Sequence, residues 1–199
     1  MRKYHRPFPA KCSSALKNQY VFMSPRLGFR NWRSDDLPAF ARMNTDPEVM
    51  RYFPGILTEQ QSAGFIQRMW RQYEKTGYTY FATELLETGD FIGFIGLADQ
   101  DYPTVFNPAT DIGWRLKKSA WGNGLATEGA RRCLELAFSE WSLDRVVAVC
   151  PVRNTASEKV MQRIGMTKRG EFAHPALTDV PDLVRCCWYQ IDQPPSVRK

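Results

Sequence analysis

The chain has 199 residues, 43% hydrophobic and 24% charged, with a net charge of +6. That length suits one large domain that buries its own core without disulfides or metals, and no apolar run of roughly 18 residues is present to span a membrane as a helix. Five cysteines, odd in number and without repeated Cys-x-x-Cys spacing, point to a reducing, cytoplasmic setting; only two histidines occur, so no zinc site, and no metal at all, is expected.

The positive charge is unevenly placed. Eight basic residues (Arg2, Lys3, Arg6, Lys11, Lys17, Arg26, Arg30, Arg33) and no acidic one fall within the first 33 positions, so the rest of the chain is net −2. The basicity belongs to an arm, whereas DNA-binding domains carry it on a face or helix of the fold, which argues against nucleic acid as a partner. Residues 1–25 read as a basic extension rather than a targeting signal, 26–192 as one domain, and 193–199 as a tail.

Residues 26–33 alternate apolar and polar side chains and predict an opening strand. Ser34 stands as a helix N-cap, followed by Asp35 and Asp36, for a helix running to about Asn44. A short second helix is expected from Asp46, with Pro47 at its first position. Thr58 and Gln61 have capping-box spacing and open an amphipathic helix bearing Phe65, Ile66, Met69, Trp70 and Tyr73, stopped by Gly77. Two β-type runs, 78–86 and 91–98, flank a hairpin turn, and a third covers 110–116. A helix is expected over 125–140, a buried strand over 145–150, and a helix from the cap Asn154 to Gly165. Runs at 166–172 and 180–191 close the chain. The alternation is that of an α/β layer fold with a mixed sheet.

A strand, a glycine-containing turn and a helix form a general anion site, because unpaired backbone N–H groups and the helix dipole converge there. Residues 110–127 have this pattern, with Gly122 and Gly124 in the turn and Lys117 and Lys118 beside it. Walker-loop spacing is absent. The dinucleotide fingerprint fails as well, since Thr127 replaces its third glycine and Asp144 lies at the wrong end of its strand.

The run Asp111-Ile-Gly-Trp-Arg-Leu, followed by Ala120-Trp-Gly-Asn-Gly-Leu-Ala-Thr-Glu-Gly-Ala, resembles motif A of the GNAT superfamily of N-acetyltransferases, in its RimJ/RimL-like branch. The stretch from Val152 to Met166 resembles that branch's second signature, and Arg26–Arg30, Asp35–Leu37 and Asn44–Met50 resemble its N-terminal elements. The resemblance covers about residues 26–192; Ser119 departs from the superfamily's usual Gln or Arg. It implies a mostly antiparallel central sheet, splayed at an acyl-CoA site, with helices on both faces. It implies acetyl-CoA as cosubstrate, with the backbone of Trp121, Gly122, Asn123, Gly124, Leu125 and Ala126 around the pyrophosphate. Trp114 and Leu116, on the strand splaying from its neighbour, would offer backbone groups to pantetheine like an added strand. Asn154 would contact the pantetheine arm, and Ser157 would lie near the thioester sulfur.

Amine attack on a thioester needs a neutral amine, a base for its proton and a stabilised leaving thiolate. Asp111 is the candidate base, acting through a water, and Ser157 the candidate donor to the thiolate; each could equally be an ordinary strand-edge or first-turn residue. Glu84 is an alternative base, and His174 a weaker candidate near the acceptor. Glu128 is expected to hold the loop. The adjacent Cys186 and Cys187 point to opposite sheet faces and do not form a redox pair. The acceptor is a primary amine on a small molecule or a protein N-terminus. A non-catalytic acyl-CoA-binding protein of the same fold is the competing reading, and monomer and homodimer both stay open.

Overall fold

The structure is a computed structural model describing residues 19–194. Most of the basic arm and the end of the tail lie outside the described residues. Eight strands form one sheet in the order β1-β2-β3-β4-β5-β6-β8-β7. They are β1 Phe22–Met23, β2 Leu27–Arg30, β3 Tyr80–Leu85, β4 Phe91–Gln100, β5 Ala109–Leu116, β6 Arg145–Pro151, β7 Thr167–Ala173 and β8 Arg185–Asp192. All neighbours are antiparallel except β5 and β6. The expected mixed, mostly antiparallel sheet with helices on both faces is what forms.

The helices α1 Leu37–Asn44 and α2 Glu59–Thr76 cover one face, where Phe40, Met43, Phe65, Ile66 and Met69 pack with Trp32, Ala82 and Phe94. The helices α3 Leu125–Ser139 and α4 Thr155–Arg163 cover the other, setting Leu134, Ala137, Met161 and Ile164 against Phe29, Phe81, Ile95 and Val146. Each large apolar side chain fully buried in these layers contributes about 1.5–3 kcal/mol. Both caps of α2 form as the sequence implies. Thr58 and Gln61 bond reciprocally at its start, and Gly77 ends it in the left-handed conformation at φ 77°.

Three expected elements differ. The helix from Asp46 is a series of turns: the Asp46 carboxylate accepts the Glu48 N–H at 2.9 Å, a local bond that competes with helix propagation. Residues 180–184 are not strand. Pro181 cannot donate to a ladder and instead starts the one-turn helix α5, Pro181–Val184. Ser34 does not cap α1. A 3₁₀ turn, Ser34–Asp36, precedes it, and buried Asp36 accepts from the Arg33 N–H and from both terminal nitrogens of Arg30, all at 2.7 Å. The sheet also begins before Arg26, because β1 pairs with β2 and buries Tyr20 and Phe22.

Candidate functional site

The β5 and β6 strands run parallel but share one register pair, Asp111 with Val147. Beyond Asp111 they diverge, while β5 stays paired to β4 through Leu116 and β6 to β8 along its length. The Lys117 N–H bonds the Ile92 carbonyl on the β4 side at 2.8 Å. Backbone direction alternates along a strand, so the groups of Trp114 and Leu116 point the other way, into the wedge. The wedge opens into a cavity of about 700 Å³.

At the wide end, Lys118–Ala120 make a 3₁₀ turn, then Gly122 and Gly124 take positive φ of 77° and 74° before α3 begins. Both angles lie in the region that penalises a side chain, which is why glycine stands at each. A Cβ on Gly122 would meet no atom within 4 Å, so the space beside it is open. No backbone N–H from residue 122 to 127 has an acceptor among the described residues; the first helical bond runs from Glu128 to the Gly124 carbonyl. The result is an N–H-lined, dipole-assisted anion cradle. Glu128 holds it at one remove. Its carboxylate takes the Arg26 N–H at 2.8 Å and Nε at 2.6 Å, and Arg26 Nη1 donates to the Asn123 carbonyl at 3.0 Å. Lys118 is engaged elsewhere, 2.5 Å from Glu48, which borders the cavity.

At the narrow end stands Asp111, half-buried, its exposed part bordering the cavity. Tyr80 Oη donates to Asp111 Oδ1 in a short hydrogen bond, and Gln100 Nε2 approaches the same oxygen at 3.3 Å. Burial pushes the Asp111 carboxyl up to about 6 against the pull of those donors, and nearby Asp99 adds to the rise. The Tyr80 hydroxyl, buried next to that carboxylate, is held well above its ordinary value and stays a donor. Gly113 makes this possible: a Cβ there would lie 3.0 Å from the Tyr80 ring. A carboxyl poised near 6, with Oδ2 free among the described residues, can take a proton at neutral pH.

On the β6 side, Asn154 caps α4 by accepting the Ser157 N–H at 3.1 Å, leaving its amide nitrogen without a partner among the described residues. Asn154 and Ser157 both border the cavity, as do Trp114, Leu116, Trp121, Gly122, Gly124, Leu125 and Ala126. Asn123 does not. Its side chain folds onto the Trp121 carbonyl at 3.1 Å. The Trp121 indole donates to the Leu116 carbonyl at 2.8 Å, so that wedge-facing acceptor is already taken.

Two other expected residues lie elsewhere. Glu84 sits 5% exposed in an ion cluster, accepting from Arg30 Nε at 2.6 Å and Tyr20 Oη at 2.8 Å, and does not border the cavity. His174 packs against Tyr102 with the ring planes tilted by 36°, accepts the Ala176 N–H through Nδ1 at 3.1 Å, and also lies off the cavity. Cys187 faces Cys150 at 3.7 Å while Cys186 packs in a separate small cluster, as opposite faces require. Sequence reasoning missed Tyr80 and Arg115. Two-residue alternation from Asp111 puts Gly113 and Arg115 on its face, and that signal would have found Arg115.

Residues 26–167 match the model of the acetyltransferase (GNAT) domain family. The FsC-acetyl coenzyme A-N(2)-transacetylase of Aspergillus fumigatus is 31% identical over 151 residues, 71% of this chain and 63% of that protein. A GNAT-family acetyltransferase from Bacillus anthracis superposes with a TM-score of 0.70 at 26% identity, covering 85% of this chain and 96% of that one. RimL, a ribosomal L7/L12 α-N-protein acetyltransferase solved with coenzyme A, shares the fold at a TM-score of 0.71 and 17% identity, over 88% and 98% of the two chains.

Proposed function

From the premise that the chain belongs to the GNAT acetyltransferase family, we propose that it moves an acetyl group from acetyl-CoA directly to a primary amine. The observation that carries this is the wedge between β5 and β6. It joins an unpaired N–H cradle at one end to a carboxyl with a raised pKa at the other. The cradle fits a pyrophosphate, since its donors are unpaired and the space beside Gly122 is open. The free backbone groups of Trp114, with the Asn154 amide, would hold the pantetheine arm along the wedge.

The amine nitrogen attacks the thioester carbon; the C–N bond forms as the C–S bond breaks. Asp111 takes the amine proton through a water, and Ser157 Oγ donates to the departing thiolate. Tyr80 and Gln100 orient the carboxylate so that Oδ2 faces the cavity. The acceptor amine belongs to a small molecule or a protein N-terminus and enters from the α1–α2 side, where Phe53, Phe65, Tyr80 and Phe94 line the cavity.

A thiol-release screen with acetyl-CoA across peptides, polyamines, aminoglycosides and amino acids tests this reading. Turnover of at least one class is expected. CoA binding by calorimetry with no turnover of any class would sink the catalytic reading and leave a binding protein of the same fold.

A further inference from the structure

We infer that the acceptor carries a carboxylate several bonds from its reacting amine, and that Arg115 receives it; this rests on the acetyl-transfer reading above. Arg115 is 8% exposed and borders the cavity. Its guanidinium lies 3.9 Å from the Phe53 ring centroid and 5.4 Å from that of Phe94, and Nη1 donates to Asn44 Oδ1 at 2.8 Å. No carboxylate lies within ion-pair distance of it among the described residues, and Nε has no partner there. Residues 1–18 and 195–199 contain no Asp or Glu. Arg30, equally buried, shows the contrast, because it is held between Asp36 and Glu84.

A buried cation without a counter-ion is costly, and a ligand carboxylate seated against it would offset that cost. Burial lowers Arg115 to about 10, so at neutral pH the charge remains and waits at the cavity wall. A planar guanidinium held against two rings and by the Asn44 amide oxygen is pre-organised for a carboxylate.

The position of Arg115 sets the spacing. Asp111 and Arg115 share one face of β5 four residues apart, about 13 Å along the strand. The guanidinium stays at its own level, over its cross-strand partner Phe94. Between the two polar ends lie the stacked rings of Phe94 and Tyr80, 5.1 Å apart. An amine at the Asp111 end, an apolar stretch along the rings and a carboxylate at Arg115 match this wall. Dipeptides and ω-amino acids have that form.

The test uses ω-amino acids of increasing length, a dipeptide, and the carboxamide of each. Initial rates are measured with acetyl-CoA, and the ¹⁵Nε resonance of Arg115 is followed in the CoA complex of the full chain. For the longer acids, kcat/KM is expected to exceed that of the amide at least tenfold, and the Arg115 resonance to move with acid but not amide. Arg115→Gln should bring the acid-to-amide ratio near one with the KM for acetyl-CoA unchanged. Equal rates for acid and amide in the unaltered protein, an unmoved resonance, or a raised acetyl-CoA KM in the variant each overturn the assignment. The first two readouts need no variant. If no amine turns over, the acetyl-transfer reading fails by itself, and the resonance titration still decides whether Arg115 takes a carboxylate.

Discussion

Replacing Asp111 by Asn is expected to move catalysis and stability in opposite directions. The folded carboxyl titrates near 6 against 3.8 when unfolded, chiefly because of burial. Between those values the folded state holds the extra proton, so stability falls as pH rises through the window and the full cost is present at neutral pH. A gap of about two units corresponds to about 3 kcal/mol, and contact with the open cavity reduces this to about 1–2 kcal/mol. Asparagine keeps an acceptor for Tyr80 and removes the charge. At 2–4 °C per kcal/mol for a chain of this size, the variant should melt about 2–8 °C higher at pH 7.5 and show no gain near pH 4. Its kcat should drop by about 10²–10⁴, and the limb near pH 6 in the kcat/KM profile should vanish. Scanning calorimetry at both pH values, paired with thiol-release rates, reads all of this. A variant no more stable at pH 7.5, or equally stabilised at pH 4, would show that burial strain on Asp111 is not what raises its pKa.

Two further substitutions probe the cofactor side. Gly122→Ala should lose about 1 kcal/mol from the positive φ alone, because its Cβ meets open space, while CoA affinity by calorimetry falls at least tenfold; unchanged affinity would mean the cradle does not face the pyrophosphate. Asn154→Ala should lose about 1 kcal/mol with the helix cap and raise the KM for acetyl-CoA with little change in kcat. Asn154→Ser keeps a cap but lacks the amide nitrogen, so it should restore melting temperature without restoring KM, and recovery of both would reduce Asn154 to a cap.

Features written in local spacing were legible before the fold. The Thr58 capping box, the Gly77 stop, the Asn154 cap and the glycine turn at 122–124 depend on neighbours within a few residues, and each forms as expected. Features made by strand pairing were not. Glu84 reads as a free strand carboxylate until Arg30, 54 residues earlier, closes on it from β2. Tyr80 and Asp111 are 31 residues apart and meet only because β3 and β5 flank β4, with Gly113 leaving room for the ring. The turns at 46–53 failed as a helix for a local reason that propensity alone underweights, namely the Asp46 side chain capturing a nearby N–H.

The single register pair between β5 and β6 also bears on how the protein behaves with nothing bound in the wedge. Two strands inside the sheet present unpaired edges to the wedge, the kind of edge that recruits foreign strands. An acyl-CoA lying along the wedge would close that gap from within, so the cosubstrate would serve as a missing strand as well as a reactant. Aggregation on warming should therefore fall with added CoA more steeply than melting temperature rises, with amide exchange at Trp114 slowing in step.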